Sequence, residues 1–427
     1  LSPLGAPGAL AVLRNRDFAL YLSGRLFANV ATQMLIMAVG WQVYHITGRV
    51  LDLGFIGLSQ FLPFLCLVLF SGHVADQFDR RVILLICLCA YSVCGLMLLW
   101  FALTAIATTL PIFAVLAVFG VTRAFQVPAA QSFVPTIVPP EVLRSALAIN
   151  SSANQLASIA GPSVGGILYA IAQTSMGRNS GAALVYGSAA GLLLAAAGLV
   201  ALIDQRRVPA VRSVLSWDTL LQGLRFVWHR KTVLGAISLD LFAVLFGGAE
   251  ALLPAYTRDV LHAGPEVFGY LRAAPGIGAG ATAIWLAFRP VSNHVGVTMF
   301  VSVGAFGVAT IVLGLTHHFW VALVALIVLG VGDMISVFIR SLLVQLETPN
   351  DIRGRVSAVN SVFIGASNEL GEFESGTTAA WFGLVPAIVL GGAATLVVAA
   401  LWARVFFPRL WRMQTFEQLK ESESNET

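Results

Sequence analysis

Charge is scarce in this chain. Only 11% of its 427 residues are Asp, Glu, Lys or Arg, 58% are hydrophobic, and the mean hydropathy is +0.85. A soluble domain carries roughly 25% charged residues. So few charges cannot cover a water-facing surface, which excludes a soluble globular protein and leaves lipid as the solvent for most of the exterior. Cysteine is also scarce. Cys66, Cys87, Cys89 and Cys94 all lie in apolar runs without His or carboxylate partners at metal-ligand spacing. They read as buried small hydrophobes and supply no metal site. The phosphate loop Gly-x-x-x-x-Gly-Lys-Ser/Thr is absent, so nothing supports ATP drive. The histidines are scattered, and His317-His318 falls in a predicted outer loop. No nucleophile–base pair is recognisable, so no enzyme, catalytic residue, metal or cofactor is expected, nor a nucleic-acid partner. The opening residues lack the basic-then-apolar order of a cleavable leader, and none is expected.

What the chain has in abundance is glycine, 40 residues, together with long apolar runs. Glycine is frequent in membrane helices because it permits close helix contact. About 20 apolar residues cross the hydrocarbon core. On that measure twelve spans can be placed, at roughly 17–46, 52–75, 82–105, 109–133, 143–173, 181–203, 232–256, 266–288, 296–316, 319–343, 356–382 and 385–407. The stretch 204–231 carries Arg206, Arg207, Pro209, Arg212, Arg225, Arg230 and Lys231 and reads as a linker, with Trp217–Trp228 a possible surface amphipathic helix. The expected organisation is an N-terminal six-helix bundle over 1–203, a linker over 204–231, a C-terminal bundle over 232–413 and a disordered polar tail over 414–427.

Basic residues set the orientation. With the N-terminus inside, the inner loops hold Arg14, Arg16, Arg80, Arg81, Arg144, the linker cluster, Arg289, Arg353, Arg355, Arg404, Arg409, Arg412 and Lys420, while the outer loops hold only Arg49, Arg178 and Arg258. The positive-inside rule then puts both termini in the cytoplasm.

The two halves repeat each other. At an offset of 210, Gly120 meets Gly330, Pro139 meets Pro349, Glu141 meets Asp351, Asn150 meets Asn360, Ser151 meets Ser361, and Gly161 and Gly166 meet Gly371 and Gly376. At an offset of 215, Arg16 meets Lys231 and Gly54 meets Gly269. Parallel six-span repeats place a substrate site at the repeat interface near the midplane.

The loop after the second span reads Gly72-His-Val-Ala-Asp76-Gln-Phe-Asp79-Arg80-Arg81. It resembles the motif of the major facilitator superfamily between helices 2 and 3, Gly-x-x-x-Asp-Arg/Lys-x-Gly-Arg/Lys-Arg/Lys. Gly72, Asp76, Arg80 and Arg81 match, Gln77 departs at a usually basic position, and Asp79 stands where glycine is usual. Ala157-x-x-x-Gly161-Pro162-x-x-Gly165-Gly166 is similar to the antiporter motif of drug-efflux members, with Ala157 in place of its first glycine. Arg123, in a Gly-x-x-Arg setting, is similar to the family's basic motif in helix 4. The resemblance looks closest to the bacterial efflux branch with enterobactin-exporter-like and macrolide-efflux-like proteins. It implies an all-α fold of two pseudo-symmetric bundles, export driven by proton antiport, and a cavity lined by helices 1, 4, 7 and 10. The loop and the helix 5 motif are then a conformational gate.

An ionisable side chain at membrane depth is a functional candidate by default. In the repeat, Arg123 falls on Asp333 and Arg25 on Asp240, so equivalent positions carry opposite charge. One expectation is a basic N-half cluster facing an acidic C-half cluster; the other is ion pairs within each half. Glu250 could pair with Arg272. Glu369 and Glu372 share a helix face, and two close carboxylates in low dielectric cannot both ionise cheaply, which makes them a reasonable proton site. The leading reading is a monomeric secondary exporter of a small amphipathic molecule, a drug, siderophore or metabolite, in the inner membrane of a bacterium, coupled to protons. An uncoupled facilitator or lipid flippase is the alternative, and a transporter-like sensor or scaffold a more distant one.

Overall fold

The structure is a computed structural model describing residues 12–106, 108–177, 180–204, 217–349 and 352–416. The first half contains α1 (Arg16–Thr47), α2 (Val50–Gln77), α3 (Arg80–Leu103), α4 (Leu110–Ile137), α5 (Leu143–Met176) and α6 (Ser180–Ala201). After a linker helix, Trp217–His229, the second half contains α7 (Lys231–Phe246), α8 (Pro265–Phe288), α9 (Val295–Leu315), α10 (Phe319–Glu347), α11 (Arg353–Phe382) and α12 (Leu384–Leu401). The fold is all-α, with the twelve helices in two pseudo-symmetric six-helix bundles. Ten spans are long and apolar enough to cross a membrane by composition alone, among the described residues. The two helices that fall short are α8, with Glu266 and Arg272, and α11, with Glu369, Glu372 and Glu374.

The sequence repeat is a structural one. α1, α2 and α3 begin at Arg16, Val50 and Arg80, and α7, α8 and α9 begin 215 residues later at Lys231, Pro265 and Val295. α5 and α11 begin at Leu143 and Arg353, 210 apart. The helix contacts repeat as well. α1 packs on α5 and α6 as α7 packs on α11 and α12, and α3 packs on α4 and α6 as α9 packs on α10 and α12. Gly120 of α4 meets the Gln60 backbone of α2, and its counterpart Gly330 of α10 meets the Pro275 backbone of α8.

The chain divides into two compact units that do not follow the linker alone. The first is 1–48, 59–214 and 263–273; the second is 49–58, 215–262 and 274–427. In the first unit, Gly166 of α5 lies on the opening turns of α8: a Cβ there would sit 2.6 Å from the Pro265 carbonyl oxygen and 3.0 Å from the Gly269 Cα. In the second unit, a Cβ on Gly376 of α11 would sit 2.8 Å from the Gly54 Cα of α2. These are repeat-equivalent contacts, and both need glycine because backbone meets backbone. An aromatic pair flanks each one, Trp41 on Phe268 with ring centroids 5.8 Å apart and Phe55 on Phe373 at 5.6 Å.

Helix ends follow from local chemistry. Asn15 caps α1, its side-chain oxygen accepting from the Asp17 and Phe18 amides while its amide group donates to the Ile137 carbonyl at 3.0 Å. Gly48, at φ 63°, closes α1 in the left-handed region. The seventh span, expected as one helix over 232–256, is broken. α7 stops at Phe246, and the chain continues past Gly247-Gly248 as a 3-10 turn over Ala249–Leu252 and a π turn over Tyr256–Val260. Gly248 sits against the Gly371 backbone and Gly371 against Val244 and Leu245, so α7 and α11 meet closely where the helix opens. The cysteines differ from expectation too. Cys87 and Cys94 are buried, but Cys66 and Cys89 face outward, where a thiol is apolar enough for lipid.

The linker helix is strongly amphipathic. Val227 is buried against Val233, Ile237, Val344 and Val356, Gly223 lies on the Arg355 backbone, and Trp228 points out. Arg206, Arg207 and Arg212 of the linker, and the tail beyond 416, lie outside the described residues.

Candidate functional site

Each half holds charged or polar side chains inside its bundle, at repeat-equivalent places. In the first half the group is centred on Arg25 of α1. Its Nη1 donates to the Tyr21 hydroxyl at 2.9 Å and its Nε to the Asn154 side-chain oxygen of α5 at 3.1 Å. Asn29 donates to the same oxygen at 2.5 Å, and the Tyr21 hydroxyl donates to the Ala130 carbonyl of α4 at 3.3 Å. Arg25 is therefore held by neutral oxygens among the described residues, so its positive charge is hydrogen-bonded without being cancelled. Arg123 of α4 stacks 5.3 Å from the centre of the Phe64 ring. Tyr91 lies nearby, packed on Phe119 with centroids 4.7 Å apart and donating to Gln126 at 3.3 Å.

In the second half the group is centred on an ion pair. Asp240 of α7 meets Arg340 of α10, Oδ2 to Nη1, at 2.7 Å, with side chains 6% and 2% exposed. Asp240 is thus paired within its own half. Arg340 was not among the candidates. Its position seven residues after Asp333 puts both on one face of α10, and that periodicity was the available signal. What the periodicity does not give is that α7 turns Asp240 toward the same face. Removing one member of so buried a pair leaves the other charge unpaired and costs about 3–5 kcal/mol.

Beside the pair lies a small chamber lined by Asp240, Ala243, Val303, Phe306, Asp333 and Ser336. It has room for about one water-sized particle. Asp333 has no hydrogen bond or salt bridge among the described residues, and its charged neighbours are Asp240, Arg340 and Glu250. Among the described residues the buried Ser336 hydroxyl has no hydrogen-bond partner, nor has the Arg340 Nε. Glu250 sits in the 3-10 turn that follows the break in α7. Farther along α11, Glu369 is buried, and the Glu372 side chain lies against Gly57 of α2, where an added Cβ would come 2.5 Å from its carboxylate. Glu374 accepts from Thr378 at 2.7 Å. The described residues contain no cluster of His, Cys, Asp and Glu able to hold a metal.

The motif loop is built locally. Asp79, where the family pattern has glycine, is the N-cap of α3, accepting from the Arg81 amide at 2.9 Å. Arg80 donates to the Ser132 carbonyl of α4 at 3.1 Å. Arg81 donates to the Val200 carbonyl at 3.3 Å and to the Ala201 carbonyl, the free acceptors at the C-terminal end of α6. The loop thus ties α3, α4 and α6 together at one end of the first bundle. The Asp76 side chain lies outside the described residues, and among the described ones nothing lies within 4 Å of where a Cβ on Gly72 would be. In α5, Gly161 rests on Gln33 and the Val30 carbonyl of α1, Gly165 on Met34, and Gly166 and Pro162 on the start of α8.

Comparison with known proteins places the chain. The family of transmembrane secretion effectors, a branch of the major facilitator superfamily, matches residues 7–425. The chain is 28% identical over 416 residues to the multidrug efflux pump Tap of Mycolicibacterium fortuitum, with 92% of this chain and 95% of Tap covered. It is 26% identical over 430 residues to the enterobactin exporter EntS of an Escherichia coli O127:H6 strain, with 98% and 96% covered. Among solved structures, a bacterial homologue of the human lysosomal transporter Spinster superposes with a TM-score of 0.73 at 15% identity, covering 93% of this chain and 98% of that one. At that identity the superposition speaks for the fold alone.

Proposed function

The chain belongs to the transmembrane secretion effector family of the major facilitator superfamily, and from that premise we propose that it exports a small amphipathic molecule, a drug, siderophore or metabolite, by proton antiport and alternating access. It is a multi-pass membrane efflux transporter and not an enzyme. The observation that carries the finer reading is its nearly full-length likeness to one protein named as a multidrug pump and another named as an enterobactin exporter. Ionisable side chains inside both bundles support proton coupling, since such groups are costly at membrane depth unless they serve a path or a relay. The repeat-equivalent glycine contacts support alternating access, because paired six-helix repeats with close small-residue contacts fit a transporter whose repeats rock about a fixed site. In this reading 1–203 and 232–413 are the moving halves, Gly72, Asp76, Arg80 and Arg81 with Gly161, Pro162, Gly165 and Gly166 form the gate, and Arg25, Arg123, Asp240, Glu250, Asp333, Glu369 and Glu372 serve the proton and substrate. The protein works as a monomer in the bacterial inner membrane with both termini cytoplasmic.

Purified protein in liposomes tests this, with a fluorescent lipophilic dye as the probe. Dye flux that follows an imposed pH gradient is the expected result. Equal flux without a gradient means a facilitator or a flippase, and dye binding without flux means a sensor. Asp76→Asn is expected to cut flux sharply at normal expression; full flux in that variant removes the loop from the gate.

A further inference from the structure

The seven ionisable candidates are not equivalent, and the chamber beside α7 and α10 separates them. Asp240 and Asp333 both line it. Asp240 is committed, since its carboxylate meets Arg340 at 2.7 Å and Arg340 is 1% exposed. A guanidinium does not give up its proton in a protein. Protonating Asp240 would strand that charge in the interior, which is the costly way to break a buried pair. Asp333 has no such commitment among the described residues. It faces a space that admits about one water-sized particle, the vehicle a proton needs. Three residues along α10, on the same face, the Ser336 hydroxyl is buried at 2% exposure and has no hydrogen-bond partner among the described residues. It lines the same chamber.

The charges around Asp333 complete the case. α7 contributes Asp240 and, past its break, Glu250; α10 contributes Arg340; α9 carries no charged residue between Val295 and Leu315. Asp240 and Arg340 cancel and Glu250 is not part of the lining, so an ionised Asp333 is the one uncompensated negative charge of the chamber itself.

We propose that Asp333 is the carboxylate that loads and unloads the transported proton, with Asp240–Arg340 an ionised pair that fixes the chamber and Ser336 a hydroxyl that must turn from its present unpartnered position to hydrogen-bond to Asp333. A hydronium ion gives its proton to the Asp333 carboxylate and leaves as water, taking the chamber from one net negative charge to neutral. The Ser336 oxygen then accepts from the new acid O–H. On release the proton returns to water and the hydroxyl turns to donate to the carboxylate. No other group changes charge. The role in transport rests on the antiport reading above; the proton binding does not.

The test is infrared difference spectroscopy of the purified full chain in nanodiscs, stepped between acid and neutral pH in choline chloride. The carbonyl stretch of a protonated carboxylic acid buried from water is expected in the wild type. It should vanish in Asp333→Asn, persist with a moved midpoint in Asp333→Glu, and shift in frequency in Ser336→Ala as the hydrogen bond is lost. Glu141→Gln, at an exposed carboxylate outside the candidate set, should leave it unchanged. Asp333→Asn breaks no ion pair, so normal folding is expected and is checked by thermal melting. A band that survives Asp333→Asn, or one abolished by Glu369→Gln, overturns the assignment. So does a band that Na⁺ displaces when it replaces choline, because the chamber would then be a metal-cation site. Flux indifferent to the pH gradient, with the band intact, sinks antiport and spares the site, so the two failures are read separately.

Discussion

The two halves put opposite chemistry on one scaffold. α1 and α7 begin 215 residues apart, and that offset lays Arg25 on Asp240. In both halves a polar contact ties the first helix of the bundle to the fourth. In the first half Tyr21 reaches the Ala130 carbonyl and Arg25 is shared among neutral oxygens. In the second half Asp240 meets Arg340, whose counterpart at the 210 offset is Ala130 itself. The first half therefore tolerates its charge by hydrogen bonding and the second by pairing. The backbone plan was kept while the means of satisfying a buried polar group diverged.

The comparison predicts unequal sensitivity. Arg340→Gln is expected to cost the most, about 3–5 kcal/mol, because Asp240 is left buried and unpaired. The double change Asp240→Asn with Arg340→Gln should recover most of that loss in thermal melting. Additive losses, within about 0.5 kcal/mol, would show that the two side chains do not sense each other. Gly161→Val comes next at about 1–3 kcal/mol. Its Cβ would arrive 2.5 Å from that of Gln33, so activity should fall with stability. Arg25→Gln should cost only about 1–2 kcal/mol, since neutral partners lose hydrogen bonds and no opposite charge is stranded. If Arg25→Gln matches Arg340→Gln in a denaturation series, the contrast between halves is wrong. The smallest effect is expected at Gly72→Ala. Among the described residues no atom lies within 4 Å of the new methyl, and melting should not change measurably.

Most of the fold was legible because a bilayer permits few alternatives. Each long apolar run must be a helix, and the repeat offsets of 210 and 215 recur in the helix starts. The break in the seventh span was not legible. Gly247-Gly248 is an unremarkable pair in a chain with 40 glycines, and only the packing of Gly248 on Gly371 marks it as the place where α7 opens. The site divides in the same way. Asp240 and Asp333 stood out as carboxylates in apolar runs. Their different surroundings did not, because these depend on which faces α7 and α10 turn to each other. Ser336 gave no signal, since a lone serine in a membrane helix is common and only its missing partner singles it out. Asp79 looked like a departure from the motif, yet it supplies the cap of α3.

The exchange of short segments bears on any attempt to cut this protein in two. Residues 49–58 belong with the second compact unit and 263–273 with the first. A gene split inside the linker would give each polypeptide its own six helices but would leave each unit short of a strip encoded by the other. In the first fragment the groove beside Gly166, and in the second the groove beside Gly376, would then stand bare toward lipid. Separately produced fragments should be unstable and prone to degradation, while co-produced ones should complement each other, each supplying the other's missing strip.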